Sequence, residues 1–244
     1  MANKTFFLGL FGRREIIAPT GRGLLVMVIL LGALAYGFMH KVYPFLSPND
    51  PVRGEILIVE GWIPDYSWAE ALATFRSKGY RLMLTTGGPL PAGMPYSYFG
   101  TYAALSAQAF KNMGLGPDSV LSIPSEDAKR DRTYAAGEAV SKWLKAQGQN
   151  PTQAKFIFNE TSPSLDLFTF SAHGRRSRYL YRKAMQTELG ISSEESAQRL
   201  GVYSTGDIGF DQNRWWISSN GVRRITDEFT AYLYSILIFS PRKD

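Results

Sequence analysis

The chain has 244 residues, is 45% hydrophobic and 14% aromatic, and contains no cysteine. That is enough for one good-sized domain with an appendage and a buried core, and it excludes a disordered chain. The missing thiols exclude disulfides, a cysteine nucleophile and cysteine-rich zinc sites, while leaving the redox compartment open.

The net charge of +6 is unevenly spread. Residues 1–47 hold Lys4, Arg13, Arg14, Arg22 and Lys41 against Glu15 alone, so most of the excess precedes the folded part. A nucleic-acid-binding protein concentrates its basic excess on the folded surface, so no nucleic-acid partner is expected.

Gly23 to Met39, GLLVMVILLGALAYGFM, runs for seventeen residues without a charge. As a helix it is about 26 Å long, the short end of a membrane span. Four cations precede it, whereas Lys41 and Arg53 beyond it are offset by Asp50 and Glu55. The positive-inside rule then keeps the N-terminus in the cytoplasm. The expected layout is a cytoplasmic segment 1–22, a transmembrane helix 23–39, a proline-bearing linker 40–53 and an α/β domain 54–244. Such an anchor-plus-domain arrangement reads as bacterial: single-pass in the inner membrane, with the lipid bilayer as first partner and the domain in the periplasm. Ala33-Leu34-Ala35 would also serve a signal peptidase, but the long polar lead favours a retained anchor.

Beyond the linker, apolar runs and helical periods alternate. Glu55–Gly61 is a short apolar run suited to a strand buried on both faces. A helix follows from Tyr66, with Asp65 as N-cap, Trp68, Ala71, Leu72 and Phe75 on one face, and Gly79 to stop it. Tyr80–Gly88 reads as a strand ending in Gly-Gly, 101–114 as a helix, 119–124 as a strand and 131–148 as a helix with Ala136, Ala139, Val140 and Trp143 inward. Residues 156–163 fit no regular slot and read as an extra strand or loop. A strand over 164–171, a helix over 174–185, a strand over 200–205 and a helix over 221–239 complete the order. Asp227 and Glu228 make the last of these a core helix and not a second span. The alternation predicts a parallel sheet with helices on both faces.

In open parallel sheets, ligands bind beyond the carboxyl ends of the strands. Those positions carry Glu60, Gly61, Trp62 and Asp65; Thr86, Gly87 and Gly88; Arg132 and Thr133; and Ser171, His173 and Arg176. The set suits an anion. Glycine amides approach a phosphate closely, helix starts add partial positive charge, and arginine offers a two-pronged fork. His173, the one histidine beyond residue 40, is the candidate general acid, and Glu60 the candidate base. Thr86, Gly87, Gly88, Arg132, Thr133 and Arg176 are the candidate ligand-binding residues, and no metal ligands are expected.

Each residue also has an ordinary reading. Gly-Gly after a strand is commonly a turn, Asp65 a cap, and the Arg175/Arg178/Arg182 stripe a solvated helix face. A buried Glu60 would need a partner such as an arginine. No Walker A loop, no G-x-G-x-x-G after a strand and no G-x-S-x-G elbow is present.

LIVEGWIPDYSWAEAL, LTTGGPL, RDRTYAAGEAVSKWL, AHGRRSRYLYRKA and FDQNRWWISSNGVR, in this order, resemble the YdcF/SanA/ElyC-like family of bacterial envelope proteins. The resemblance covers Glu55 to Phe239 and implies a Rossmann-like, three-layer α/β fold behind an N-terminal anchor. It implies a role in envelope integrity and in peptidoglycan-precursor or lipid-carrier metabolism, but brings no settled reaction and no assigned cofactor. It puts the family's Gly-Gly motif on Gly87 and Gly88, its polar-Thr-Tyr motif on Arg132, Thr133 and Tyr134, its His-x-x-Arg motif on His173 and Arg176, and its C-terminal acid on Glu228. Where many members have a glycine-rich turn after the first strand, this chain has Glu60-Gly61-Trp62.

The expected function is therefore that of an anchored envelope protein with an anion pocket, taking a small anionic molecule or a lipid-linked or nucleotide-type phosphate. The alternative is a non-catalytic binding or structural subunit docked on other membrane proteins.

Overall fold

A computed structural model describes residues 5–6, 11–12, 18–93, 95–129, 131–148 and 163–241. Most of the 156–163 stretch lies outside the described residues. The chain separates into two compact units, Met1–Lys41 and Val42–Asp244. In the first, β1 (Thr5–Phe6) and β2 (Phe11–Gly12) pair antiparallel. Helix α1, Gly21–Leu46, is the one described helix long and apolar enough to cross a membrane.

The second unit holds a five-stranded, wholly parallel sheet of β3 (Ile56–Glu60), β4 (Leu82–Gly87), β5 (Val120–Pro124), β6 (Leu165–Phe170) and β7 (Leu200–Thr205), ordered β5-β4-β3-β6-β7. The helices are α2 (Tyr66–Lys78), α3 (Tyr102–Asn112), α4 (Arg132–Gly148), α5 (Gly174–Leu189), α6 (Ser193–Arg199) and α7 (Ser219–Leu237). This is the Rossmann-like α/β architecture that the alternation predicts.

Strand alternation divides the core into two layers. Ile56 and Ile58 of β3 join Leu82, Leu84, Leu165 and Leu167 against Val140, Leu144, Tyr181 and Met185 of α4 and α5. Leu57 and Val59 point the other way, with Met83 and Phe168, onto Ala71, Phe75, Ala107 and Phe110 of α2 and α3. Every residue of β3, β4 and β6 is buried, which is why β3 is a nearly continuous apolar run, whereas Thr85, Thr86, Asp166 and Thr169 are buried with hydrogen-bond partners. Asp65 caps α2, accepting from the Tyr66 amide at 2.8 Å, and Gly79 ends it at a left-handed φ of 79°.

Helices α4 and α5 come together at Gly137, where an added Cβ would stand 2.9 Å from the Tyr181 Cα. No larger residue fits without moving a backbone.

Three features depart from the sequence expectations. The stretch expected to link helix and domain packs into the fold: Val42, Tyr43 and Leu46 are buried, and Asp50 exchanges backbone bonds of 2.9 and 3.1 Å with Val202 on the outer edge of β7. Asp166, the second residue of β6, is a fully buried acid that accepts from the Val52 amide at 2.7 Å, the Gly54 amide at 2.9 Å and the Tyr80 hydroxyl at 2.7 Å. That carboxylate pins the entry segment to the sheet and satisfies donors that would otherwise be buried unpaired. Lastly, α7 buries only Gly221, Ile225 and Ser235, so it lies on the surface and not in the core. Its two acids and scattered polar residues leave too narrow an apolar stripe for full burial.

Candidate functional site

The sheet order reverses between β3 and β6. The chain steps from β3 outward to β4 and β5, then returns to β6 on the other side. In open α/β sheets this switch point is where crossovers diverge and leave room for a ligand. Glu60 ends β3 there, and Phe170 ends β6.

Glu60 shares the strand face of Ile56 and Ile58 and is 1% exposed. Its carboxylate accepts from the Thr169 hydroxyl and from the Ser177 hydroxyl at 3.1 and 3.3 Å. Among the described residues these hydroxyls, and no arginine, satisfy it. Beside it the Tyr181 hydroxyl bonds Thr86 Oγ1 at 2.9 Å. Burial, with the nearby Glu60 charge, pushes the Tyr181 phenol well above its ordinary value. Thr86 and Glu60 thus form a buried polar floor under α5.

After Phe170 the chain makes a tight turn, Ser171–His173, with Ser171 at a φ of 53°. A left-handed conformation is uncommon for a residue with a Cβ, and here it delivers His173 as the residue that opens α5. Gly174 follows because an added Cβ would stand 2.0 Å from Ser204 Oγ on β7.

The ring of His173 is buried and held on both sides. Nδ1 lies 2.9 Å from Glu228 Oε1 of α7, and Nε2 lies 3.4 Å from Thr133 Oγ1 in the first turn of α4. Arg176, one turn along α5, grips the same carboxylate with Nε to Oε2 at 2.9 Å and Nη2 to Oε1 at 3.3 Å. Its Nη2 also stands 2.8 Å from His173 Nδ1. Both cannot bond Nδ1 in the same sense, since Glu228 only accepts and Arg176 only donates. The charged carboxylate decides it: Nδ1 carries the proton and donates to Glu228, while Arg176 spends its fork on Glu228. In the neutral ring, Nε2 is then the free lone pair, facing the Thr133 hydroxyl. Burial would raise the Glu228 carboxyl, but the His173 ring and the Arg176 guanidinium beside it hold it down at about 2. Trp62, just beyond β3, meets the His173 ring edge-on with centroids 4.7 Å apart and remains about one-third exposed.

The structure therefore brings together His173, Arg176 and Thr133, with Glu60 and Thr86 in the floor behind them. Arg132 precedes Thr133 and is exposed at the start of α4. Gly87 and Gly88 turn toward other neighbours. An added Cβ on Gly87, at a φ of 143°, would stand 2.7 Å from Tyr102 Cβ of α3, and one on Gly88 would stand 3.4 Å from the Glu126 carbonyl and Ser125 Oγ. Gly87 lets the end of β4 pass closely under α3, and Gly88 lies against the residues that follow β5. Sequence reasoning from strand ends did not reach Glu228, which lies in the middle of a helix far along the chain; only the family resemblance pointed to it. It placed Trp62 at a strand end but gave it no part in the site.

Electrostatically, the starts of α4 and α5 converge where Thr133 meets His173, so the partial positive ends of two helices point at one place. Among the described residues no three metal-ligating side chains come together. The arrangement can hold an anion at the helix starts and move a proton at His173 Nε2. Compared with protein-family models, with curated proteins and with solved structures, the chain matches none.

Proposed function

We propose that this chain is a membrane-anchored enzyme of the bacterial cell envelope that acts on a phosphate-bearing substrate at the β3/β6 switch point. The observation that carries the reading is the Glu228–His173–Thr133 line. A buried carboxylate fixes the proton on Nδ1 and leaves Nε2 as a base between two helix starts. Support also comes from the apolar helix α1 and from the five ordered motifs that resemble those of the YdcF/SanA/ElyC-like family.

In this reading the substrate phosphate sits over the starts of α4 and α5, with exposed Arg132 as its clamp. His173 Nε2 takes the proton from an attacking water as its oxygen bonds phosphorus, then returns it to the departing ester oxygen. Glu228 keeps the ring in the working tautomer, and Arg176 keeps Glu228 charged and in place. Glu60 is a positioning residue that anchors Ser177 of α5, because its oxygens are already occupied and shielded from solvent.

The test is calorimetric titration of the full chain in detergent micelles with pyrophosphate and with a short polyprenyl phosphate. Arg132→Gln should weaken binding roughly tenfold, as expected for the loss of one charge-assisted contact. His173→Gln should bind but not turn over. A folded wild type that binds neither ligand would sink the enzyme reading and favour a docking subunit of a membrane assembly.

A further inference from the structure

The far side of α5 carries a second basic feature. A groove of about 360 Å³ is lined by Arg175, Arg178, Arg182 and Lys183 of α5, with Tyr179 and with Tyr232 of α7. Three of these cations form the stripe that the sequence assigns to a solvated face, yet their side chains lie against the protein. Arg182 donates to the Leu200 carbonyl at 3.1 Å and the Ala197 carbonyl at 3.0 Å. Arg178 is 12% exposed and pairs with Asp50 at 2.7 Å. Among the ion pairs of the described residues, that is the one that touches this group. Burial, and then the charge of Arg178, lower the Arg182 guanidinium to about 10, with Asp50 opposing. Four cations facing one carboxylate leave the groove with unneutralised positive charge.

Its position relative to the chain identifies the occupant. Arg175 donates to the Phe45 carbonyl, its guanidinium lies 3.9 Å over the Phe45 ring, and Phe45 packs edge-on to Tyr232 at 5.7 Å. Phe45 follows Met39, the end of the uncharged run, by six residues. Six residues of chain span at most about 22 Å, so little chain separates Phe45 from that run. Further along α7, Leu237 is 75% exposed and the adjoining Ile238 71%, about one and a half turns beyond Tyr232. Cations and tyrosines with exposed aliphatics further along α7 are the composition of a membrane–water interface.

We propose that this groove seats the phosphate of an anionic lipid headgroup from the bilayer that α1 enters. The seat rests on the anchor reading of α1 but not on chemistry at His173. Lys183 supplies charge with no carboxylate partner among the ion pairs of the described residues, Arg178 shares its guanidinium between Asp50 and the headgroup, Arg182 shapes the groove through its carbonyl bonds, and the tyrosines border the acyl–headgroup boundary. Docking there would hold the switch-point site at a set height above a lipid-linked substrate.

The experiment uses the full chain in nanodiscs of equal phosphatidylcholine and phosphatidylglycerol, with lipids retained after ejection read by native mass spectrometry. Wild type should retain phosphatidylglycerol over phosphatidylcholine. Arg178→Gln/Lys183→Gln should lower that preference about thirtyfold, taking the usual contribution of one cation near an anionic surface for each. The charge-keeping Arg178→Lys/Lys183→Arg should retain it, which separates charge from folding. Equal retention of both lipids by wild type, or an unchanged preference in the double Gln variant, would overturn the proposal. So would displacement of the lipid by millimolar inorganic phosphate, which would mark a free-phosphate site. An alkaline wash of vesicles checks the anchor separately: release of the chain would sink the anchor, whereas a chain that stays but shows no lipid preference would sink the headgroup seat alone.

Discussion

His173 and Glu228, 55 residues apart in the chain, meet with Nδ1 2.9 Å from Oε1. The contact ties the start of α5 to the middle of α7 and selects the tautomer of the ring. With Nδ1 as donor, the neutral imidazole offers its lone pair only at Nε2, 3.4 Å from Thr133 Oγ1. Long-range nitrogen–proton NMR of the full chain in micelles should show His173 in its neutral form as the Nδ1–H tautomer. The opposite tautomer would remove the base from the site.

The same pair sets an acid limit on stability. The Glu228 carboxyl titrates at about 2 in the fold against an ordinary 4.5. A depressed folded-state pKa contributes stability that is fully present above the unfolded value and is lost as pH falls through the folded one. About 3 kcal/mol should therefore disappear between pH 4.5 and pH 2. Denaturant unfolding across that window should show this loss in wild type and not in Glu228→Gln. Equal slopes in both would refute the assignment.

Arg176 is the counter-charge that makes a buried Glu228 tolerable, with side-chain exposures of 19% and 13%. Arg176→Ala leaves the buried carboxylate with His173 as its remaining partner and should cost about 3 kcal/mol. Replacing both partners, as Arg176→Met with Glu228→Leu, should recover part of that, because the charge to be compensated is gone while the His173 Nδ1–H loses its acceptor. A double variant as unstable as the single one would show that shape, and not charge, is what the pair supplies.

Asp166 governs the entry segment in the same way. Its carboxylate serves two amides and the Tyr80 hydroxyl, whose phenol is raised far above its usual value, first by burial, then by Tyr203 and Asp166. Asp166→Ala leaves the Val52 and Gly54 amides unpaired and the Tyr80 hydroxyl with Tyr203 alone, and should destabilise the fold by several kcal/mol, at about 1–3 per group. Hydrogen exchange should quicken first at Val52 and Gly54. Protection that stays unchanged there would mean that the edge bridge from Asp50 to Val202 holds the segment by itself.

Much of the architecture was legible in the residues because it rests on local rules. The apolar run at 55–61 predicts a strand buried on both faces, and β3 is so buried, while 80–88 and 164–171 read as strands and form β4 and β6. Asp65 and Gly79 read as the ends of α2, since a short acceptor and a glycine answer needs of the backbone itself. Less was legible where a residue's partner lies far along the chain. Asp166 looks like an interruption of an apolar strand until Val52, Gly54 and Tyr80 are placed around it. The arginine stripe of α5 has solvent periodicity, yet carbonyls of Ala197 and Leu200 and the Asp50 carboxylate draw it inward.

The division follows from range. Hydrophobic period, turn chemistry and charge asymmetry act over a few residues. By themselves they determined an apolar helix long enough for a membrane, the α/β alternation and the strand ends where polar residues gather. The sheet order that sets β3 beside β6, and the meeting of Thr133, His173, Arg176 and Glu228, were decided only by the tertiary structure. A hydrogen bond between α5 and α7 depends on how two helices pack on a sheet, and no local preference of either helix contains that information.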